Sequence, residues 1–198
     1  MSTPKTDSMI ESKNKTKTFA GLKGKRVGVF VDDSNLYHGF KKYGWRIDIN
    51  ALKTLFDKHS KLLFINYYIA IPEKSDNAFK GTEEYIKKIE ASATIITKPL
   101  KYTRVAGKII KKADVDVEIV LDVVRKIDQL DLAVILSGDS DYLELKNYVT
   151  KDRKKEILFM SYEENMAWEL RQCRHIYLNR IKDLIALNNK QAPGLTPG

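Results

Sequence analysis

The 198-residue chain has a single cysteine, Cys173. One thiol cannot close an internal disulfide, and it cannot furnish a cysteine-rich zinc site. No apolar run approaches the roughly 18 residues that a membrane-spanning helix needs. Residues Met1–Lys17 are polar and lack the apolar stretch of a signal peptide. A cytoplasmic protein with no membrane partner is therefore expected. Two glycine-rich signatures are also missing. No G-x-G-x-x-G follows the first strand-like run, which argues against a dinucleotide-binding enzyme. The absence of G-x-x-x-x-G-K-S/T excludes a P-loop nucleotidase. Histidine is scarce, with three in the chain. Ser34 and His38 are near in sequence but have no evident oxyanion donors, so no serine-hydrolase arrangement is read. His59, at an expected helix end, and His175, near the last strand, read as structural.

What the chain has in excess is positive charge. There are 35 Lys+Arg against 26 Asp+Glu, a formal net charge of +9. This balance favours a polyanionic partner, because neutralising phosphates releases their condensed counterions. Hydrophobic residues make up 43% of the chain, enough for one core and one domain. Residues 1–24, rich in Lys, Ser and Thr, read as a flexible basic leader. Residues 25–187 read as the folded domain, and 188–198 (NNKQAPGLTPG) as a disordered tail.

Within that domain strand and helix patterns alternate. Short runs rich in Val, Ile and aromatics predict strands over Arg26–Val31, Leu62–Ile71, Thr94–Thr97, Leu132–Leu136, Glu156–Met160 and Ile176–Leu178. Apolar residues at three-to-four spacing predict helices over Ile49–His59, Asn77–Ala91, Val115–Ile127, Ser140–Thr150 and Asn165–Cys173. Alternation of this kind implies a parallel sheet with helices on both faces. In such folds ligands bind beyond the carboxyl ends of the strands.

Acids collect at those ends. The first strand runs into Asp32-Asp33-Ser34-Asn35, and the fourth into Ser137-Gly138-Asp139-Ser140-Asp141. A third cluster, Asp114 and Asp116, opens the helix that precedes the fourth strand. Each alone has a plain structural explanation. Asp32 or Asp33 can cap the following helix, Asp141 and Glu144 have capping-box spacing, and Asp114 or Asp116 suits a helix start. Their joint placement is harder to explain by capping. Crowded carboxylates repel one another, and a bound divalent cation removes the conflict. Oxygen-only ligands suit Mg²⁺ or Mn²⁺ rather than zinc. Such a cation can activate water against a phosphodiester, with Asn35, Ser137 and Ser140 placed to orient water or phosphate. A phosphatase with a nucleophilic aspartate is less consistent, because Ser34 stands where its second acid belongs. Glu118 and Asp122 read as a solvated helix face.

The segments FVDDSNLY (30–37), KKADVDVEIVLDVV (111–124) and AVILSGDSDYLELKNYV (133–149) together resemble the NYN domain family, PIN-like nucleases that include the LabA-like proteins. The resemblance spans about residues 25–182. It implies a PIN-like three-layer α/β sandwich, with a central, mostly parallel sheet of five or six strands and helices on both faces. It also implies a metal-dependent ribonuclease whose acidic pocket binds Mg²⁺ or Mn²⁺. Asp32 and Asn35 match the first family motif, Asp116 the second, and Asp139 and Asp141 the third. On this reading Asp32, Asp116, Asp139 and Asp141 hold the cation, and Asn35 completes the catalytic set. Asp122 matches a recurring family aspartate, and Ser161 falls where a serine often follows the fifth strand. Asp33 and Asp114 are extra acids that depart from the family pattern.

The segment after the third strand carries Lys98, Lys101, Tyr102, Arg104, Lys108, Lys111 and Lys112. It is expected to be a mobile arm that binds the nucleic-acid backbone, with Tyr102 stacking on a base. RNA, single-stranded or structured, is the expected partner from charge and family together. DNA stays open, and so does a homodimer. The rival account is a non-catalytic adaptor that uses the same fold to bind RNA or protein without turnover.

Overall fold

Every residue of Leu132–Leu136 is apolar, and Val27–Val31 departs from that only at Gly28. Strands of this kind must be covered on both faces. The computed structural model describes residues 19–105 and 107–187 and places these two strands at the centre of a sheet. In chain order the strands are β1 (Arg26–Asp32), β2 (Lys61–Ile71), β3 (Thr94–Pro99), β4 (Lys101–Val105), β5 (Lys108–Lys112), β6 (Leu132–Leu136), β7 (Glu156–Ser161) and β8 (His175–Tyr177). The helices are α1 (Asp33–Tyr43), α2 (Ile49–His59), α3 (Phe79–Ile89), α4 (Asp116–Lys126), α5 (Leu143–Asn147), α6 (Trp168–Arg171) and α7 (Lys182–Ile185).

Six strands form one sheet in the order β3-β2-β1-β6-β7-β8, and all its pairings are parallel. On one face Val27, Val29 and Val31 pack with Leu36 of α1, Leu52 and Phe56 of α2, Ile89 of α3 and Ile185 of α7. On the other, Phe30, Ala133 and Ile135 pack with Ile119 and Val123 of α4, Leu145 of α5 and Leu170 of α6. The result is the three-layer α/β/α sandwich expected from the sequence. The chain leaves β1 towards β2 and leaves β6 towards β7, which lie on opposite sides. A crevice opens where the two paths diverge, at the carboxyl ends of β1 and β6. With the β4–β5 pair set aside, the order matches that of dinucleotide-binding folds. The loop after β1, however, carries two acids and no glycine fingerprint. The shared topology therefore does not carry a shared chemistry.

Several elements differ from expectation. The basic segment after β3, expected to be an arm and given no strands, is a two-stranded antiparallel hairpin, β4–β5. It turns at Gly107, whose φ of 78° suits a residue without a Cβ. The helix expected over 140–150 is a 3-10 turn (Ser140–Tyr142), then α5, then a π-helical turn (Tyr148–Asp152). The helix expected over 165–173 contracts to α6. The Ala167 amide instead donates to the Gly138 carbonyl oxygen at 2.8 Å, so the backbone there is committed to the β6 loop. Phe19 and Leu22 fall within the expected leader, yet both are buried, with Phe19 edge-on to Phe56 at 6.4 Å. Residues 1–18 and the expected tail, 188–198, lie outside the described residues. Among the described residues no helix is long and apolar enough to cross a membrane.

Candidate active site

The crevice is built by two caps that also carry chemistry. Asp32 ends β1 and caps α1, its Oδ1 accepting from the Asn35 amide at 3.2 Å and from Ser34 Oγ at 2.8 Å. Its Oδ2 accepts from Ser137 Oγ at 3.1 Å. Asp139 repeats the device after β6, with Oδ1 accepting from the Asp141 amide at 3.0 Å. Capping therefore does not exclude a further role for these acids. The cap fixes where each carboxylate points.

Asp116, Asp139 and Asp141 come together, each offering a carboxylate oxygen within 4.8 Å of the others. Asp32 stands apart from this group. It is 2% exposed, and three of its roughly four lone-pair positions are already used. Burial pushes the Asp32 carboxyl up. Burial also raises Asp116, to about 6, helped by repulsion from Asp32, Asp114 and Asp139 and opposed by Tyr142, whose hydroxyl donates to Asp116 Oδ1 at 2.7 Å. These acids therefore feel one another, as the sequence reading required.

The polar helpers act mainly as braces. Asn35 Oδ1 accepts from the Gly138 amide at 3.0 Å and from Ser161 Oγ at 3.2 Å, tying the ends of β1, β6 and β7 together. Ser137 is fully buried and bridges Asp32 to the Asp139 amide. Ser140 is exposed at the start of the 3-10 turn. Gly138 has no room for a side chain. A Cβ there would come within 2.4 Å of the Asn165 carbonyl oxygen.

The remaining acids are engaged with other partners, although Asp114 borders the group through its contact with Asp116. Asp33 faces the opposite side of the sheet, where Tyr67 donates to it at 2.5 Å, and burial lifts its carboxyl to about 6. Asp114 pairs with Lys112 at 3.1 Å. Asp122 is not on a solvated face. It accepts from Tyr68 (2.5 Å), Asn66 (2.8 Å) and Lys126 (2.6 Å), and so fastens α4 to β2. Burial opposes its charge, but these donors outweigh it and hold the carboxyl below its usual range. Glu118 pairs with Lys98 at 2.8 Å. Tyr142 is the site residue the sequence reading passed over, although it sits inside the SGDSDY segment.

The basic hairpin is rooted at the site, since β5 ends four residues before Asp116. Its residues are not equivalent. Lys111 binds Asp76 at 2.7 Å and Lys112 binds Asp114. Tyr102 donates to Asp76 at 2.8 Å and accepts from the Glu73 amide at 3.0 Å, so the ring expected to stack on a base is tethered. Lys101, Arg104 and Lys108 are exposed and form no ion pair among the described residues.

A family model for the NYN domain matches residues 26–179. The chain belongs to the NYN domain family. NYN domains fall within the PIN-like nuclease superfamily. The chain is 26% identical over 173 residues to the low amplitude and bright protein LabA of Synechococcus elongatus, covering 85% of this chain and 91% of that protein. It is also similar to the crystal structure of a protein of unknown function from Vibrio parahaemolyticus. That match has a TM-score of 0.66 and 19% identity, and covers 83% of this chain and 97% of the other. At that identity the likeness speaks for the NYN fold alone.

Proposed function

We propose that this NYN domain is a ribonuclease that hydrolyses phosphodiester bonds at a divalent cation held by Asp116, Asp139 and Asp141. The observation that carries the reading is the convergence of these three carboxylates, with ligand oxygens within 4.8 Å, at the β1–β6 crevice. The donor set fits Mg²⁺ or Mn²⁺, because it is all oxygen and its mutual repulsion is relieved by a cation. When bound, such an ion polarises a phosphoryl oxygen and makes water a better nucleophile at neutral pH.

The protein's own groups do the rest. Tyr142 donates to Asp116 Oδ1 and so fixes the orientation of that carboxylate. Asp32 is fastened by hydrogen bonds from Ser34, Asn35 and Ser137, and its charge raises the demand for a cation beside it. Ser137 and Asn35 keep the β1 and β6 ends in register. The net charge of +9 and the exposed Lys101, Arg104 and Lys108 support a polyanionic substrate, and family membership supports RNA.

The test is cleavage of labelled single-stranded RNA with Mg²⁺ or Mn²⁺ by wild type and Asp139→Asn. Cation-dependent cleavage that the substitution abolishes is expected. Cleavage that survives the substitution would refute the site. No cleavage of any RNA or DNA by folded protein would favour the adaptor.

A further inference from the structure

Trp168 is 70% exposed, more than any other large apolar side chain among the described residues, whereas Trp45 is buried at 7%. A single exposed apolar residue is ordinary on a protein surface. The mounting and place of this one are not. Its neighbours Met166 and Leu170 are buried, at 2% and 0%. The adjacent Ala167 amide is bonded to the Gly138 carbonyl oxygen at 2.8 Å. Arg171 braces the turn from below, donating to the Met166 carbonyl at 2.9 Å and to the Glu163 carbonyl at 3.0 Å. Helix α6 packs against the 3-10 turn that carries Asp141. The indole is therefore held out to solvent on a fixed base, one residue from the loop that presents Asp139 and Asp141.

We propose that Trp168 is a stacking platform for an unpaired base of the substrate. This rests on the nuclease reading above and adds to it. A base in a duplex is already stacked on both faces and gains little from an indole. An unpaired base gains a full π-face contact, largely regardless of its identity. Because α6 packs against the turn that carries Asp141, stacking there would fix the register of the backbone relative to the acids. The backbone beneath Trp168 is already fixed, so binding need order only the indole's own two side-chain torsions.

Fluorescence provides the test, because one tryptophan is buried and the other is exposed. The full chain carrying Asp139→Asn, which blocks cleavage, is titrated with a labelled single-stranded RNA and with the matching blunt duplex. Anisotropy reads binding and tryptophan emission reads contact. The single strand is expected to quench emission, and Trp168→Ala to remove the quench and weaken single-strand binding by roughly 5- to 100-fold. Trp168→Phe should retain most of the affinity, and duplex affinity should change less than about twofold. Thermal melts confirm that the variants fold. Single-strand binding that is unquenched in the parent and unchanged by Trp168→Ala would overturn the inference while leaving the nuclease reading intact. A Trp168→Ala effect on oligomeric state alone would overturn it in favour of a protein contact. Absence of binding to any nucleic acid, together with absence of cleavage by the wild type, would remove both.

Discussion

Replacing Gly138 with alanine should disable the site without altering any acid. The new Cβ would lie 2.4 Å from the Asn165 carbonyl oxygen, 2.7 Å from Ser161 Oγ and 2.8 Å from Met166 Cα. Two of these three are backbone atoms and cannot swing aside as a side-chain end could. The β6 loop and the 165–167 segment must therefore separate. That strains the Ala167–Gly138 backbone bond and the Gly138–Asn35 bond. Overpacking of a tight contact costs about 1–3 kcal/mol. A lost hydrogen bond adds about 1 kcal/mol. The sum corresponds to a fall in Tm of roughly 5–15 °C for a domain of this size. Because Gly138 adjoins Asp139, the same displacement should spread the carboxylate group and weaken Mn²⁺ binding measured by calorimetry. Ser140→Ala, at an exposed position in the same loop, is the control and should stay within about 0.5 kcal/mol of wild type. A Gly138→Ala protein with wild-type Tm and wild-type Mn²⁺ affinity would refute the reasoning.

Three further outcomes follow from particular contacts. Asp116 is raised to about 6, so below that pH a cation must displace a proton. Mn²⁺ affinity should then climb about fivefold from pH 5 to 6 and level off above 7, and a flat profile from 5 to 8 would contradict this. Asp122→Ala strips the acceptor from Tyr68, Asn66 and Lys126. It should cost about 2–4 kcal/mol in a urea melt while sparing Mn²⁺ affinity, and a loss under about 0.5 kcal/mol would count against the brace. Alanine at Lys101, Arg104 and Lys108 together should flatten the salt dependence of single-stranded RNA binding by about 2 in logarithmic slope, and an unchanged slope would show that the hairpin does not touch phosphate.

Much of this architecture was legible in the sequence because burial leaves a strong mark. The uninterrupted apolar run Leu132–Leu136 reads as a strand, and its bounds match the structure, where it is central. The amphipathic repeat of Ile49–His59 likewise matches α2. The acids at strand ends were legible because strand order and chain direction place them on one edge. Where tertiary contacts decide, the pattern was silent. The segment around Asn165 has helical spacing, but its backbone is taken by Gly138. The hairpin was hidden because β4 and β5 pair with each other and bury little, so no apolar alternation was demanded. Asp122 looked solvated because its partners Asn66 and Tyr68 lie 56 and 54 residues away in sequence. Asp32 and Asp116 share the same motif logic, yet Asp32 is buried and hydrogen-bonded by Ser34, Asn35 and Ser137, whereas Asp116 groups with Asp139 and Asp141. Spacing alone could not separate those roles.

The claim at the centre is that Asp116, Asp139 and Asp141 form one cation site. Anomalous diffraction from crystals soaked in Mn²⁺ tests it most directly. The account predicts a single strong peak, or a close pair, within about 2.0–2.3 Å of oxygens from these three carboxylates, lost in Asp139→Asn. Saturating Mn²⁺ with no peak in the β1–β6 crevice, or a peak that persists unchanged in Asp139→Asn, would contradict it.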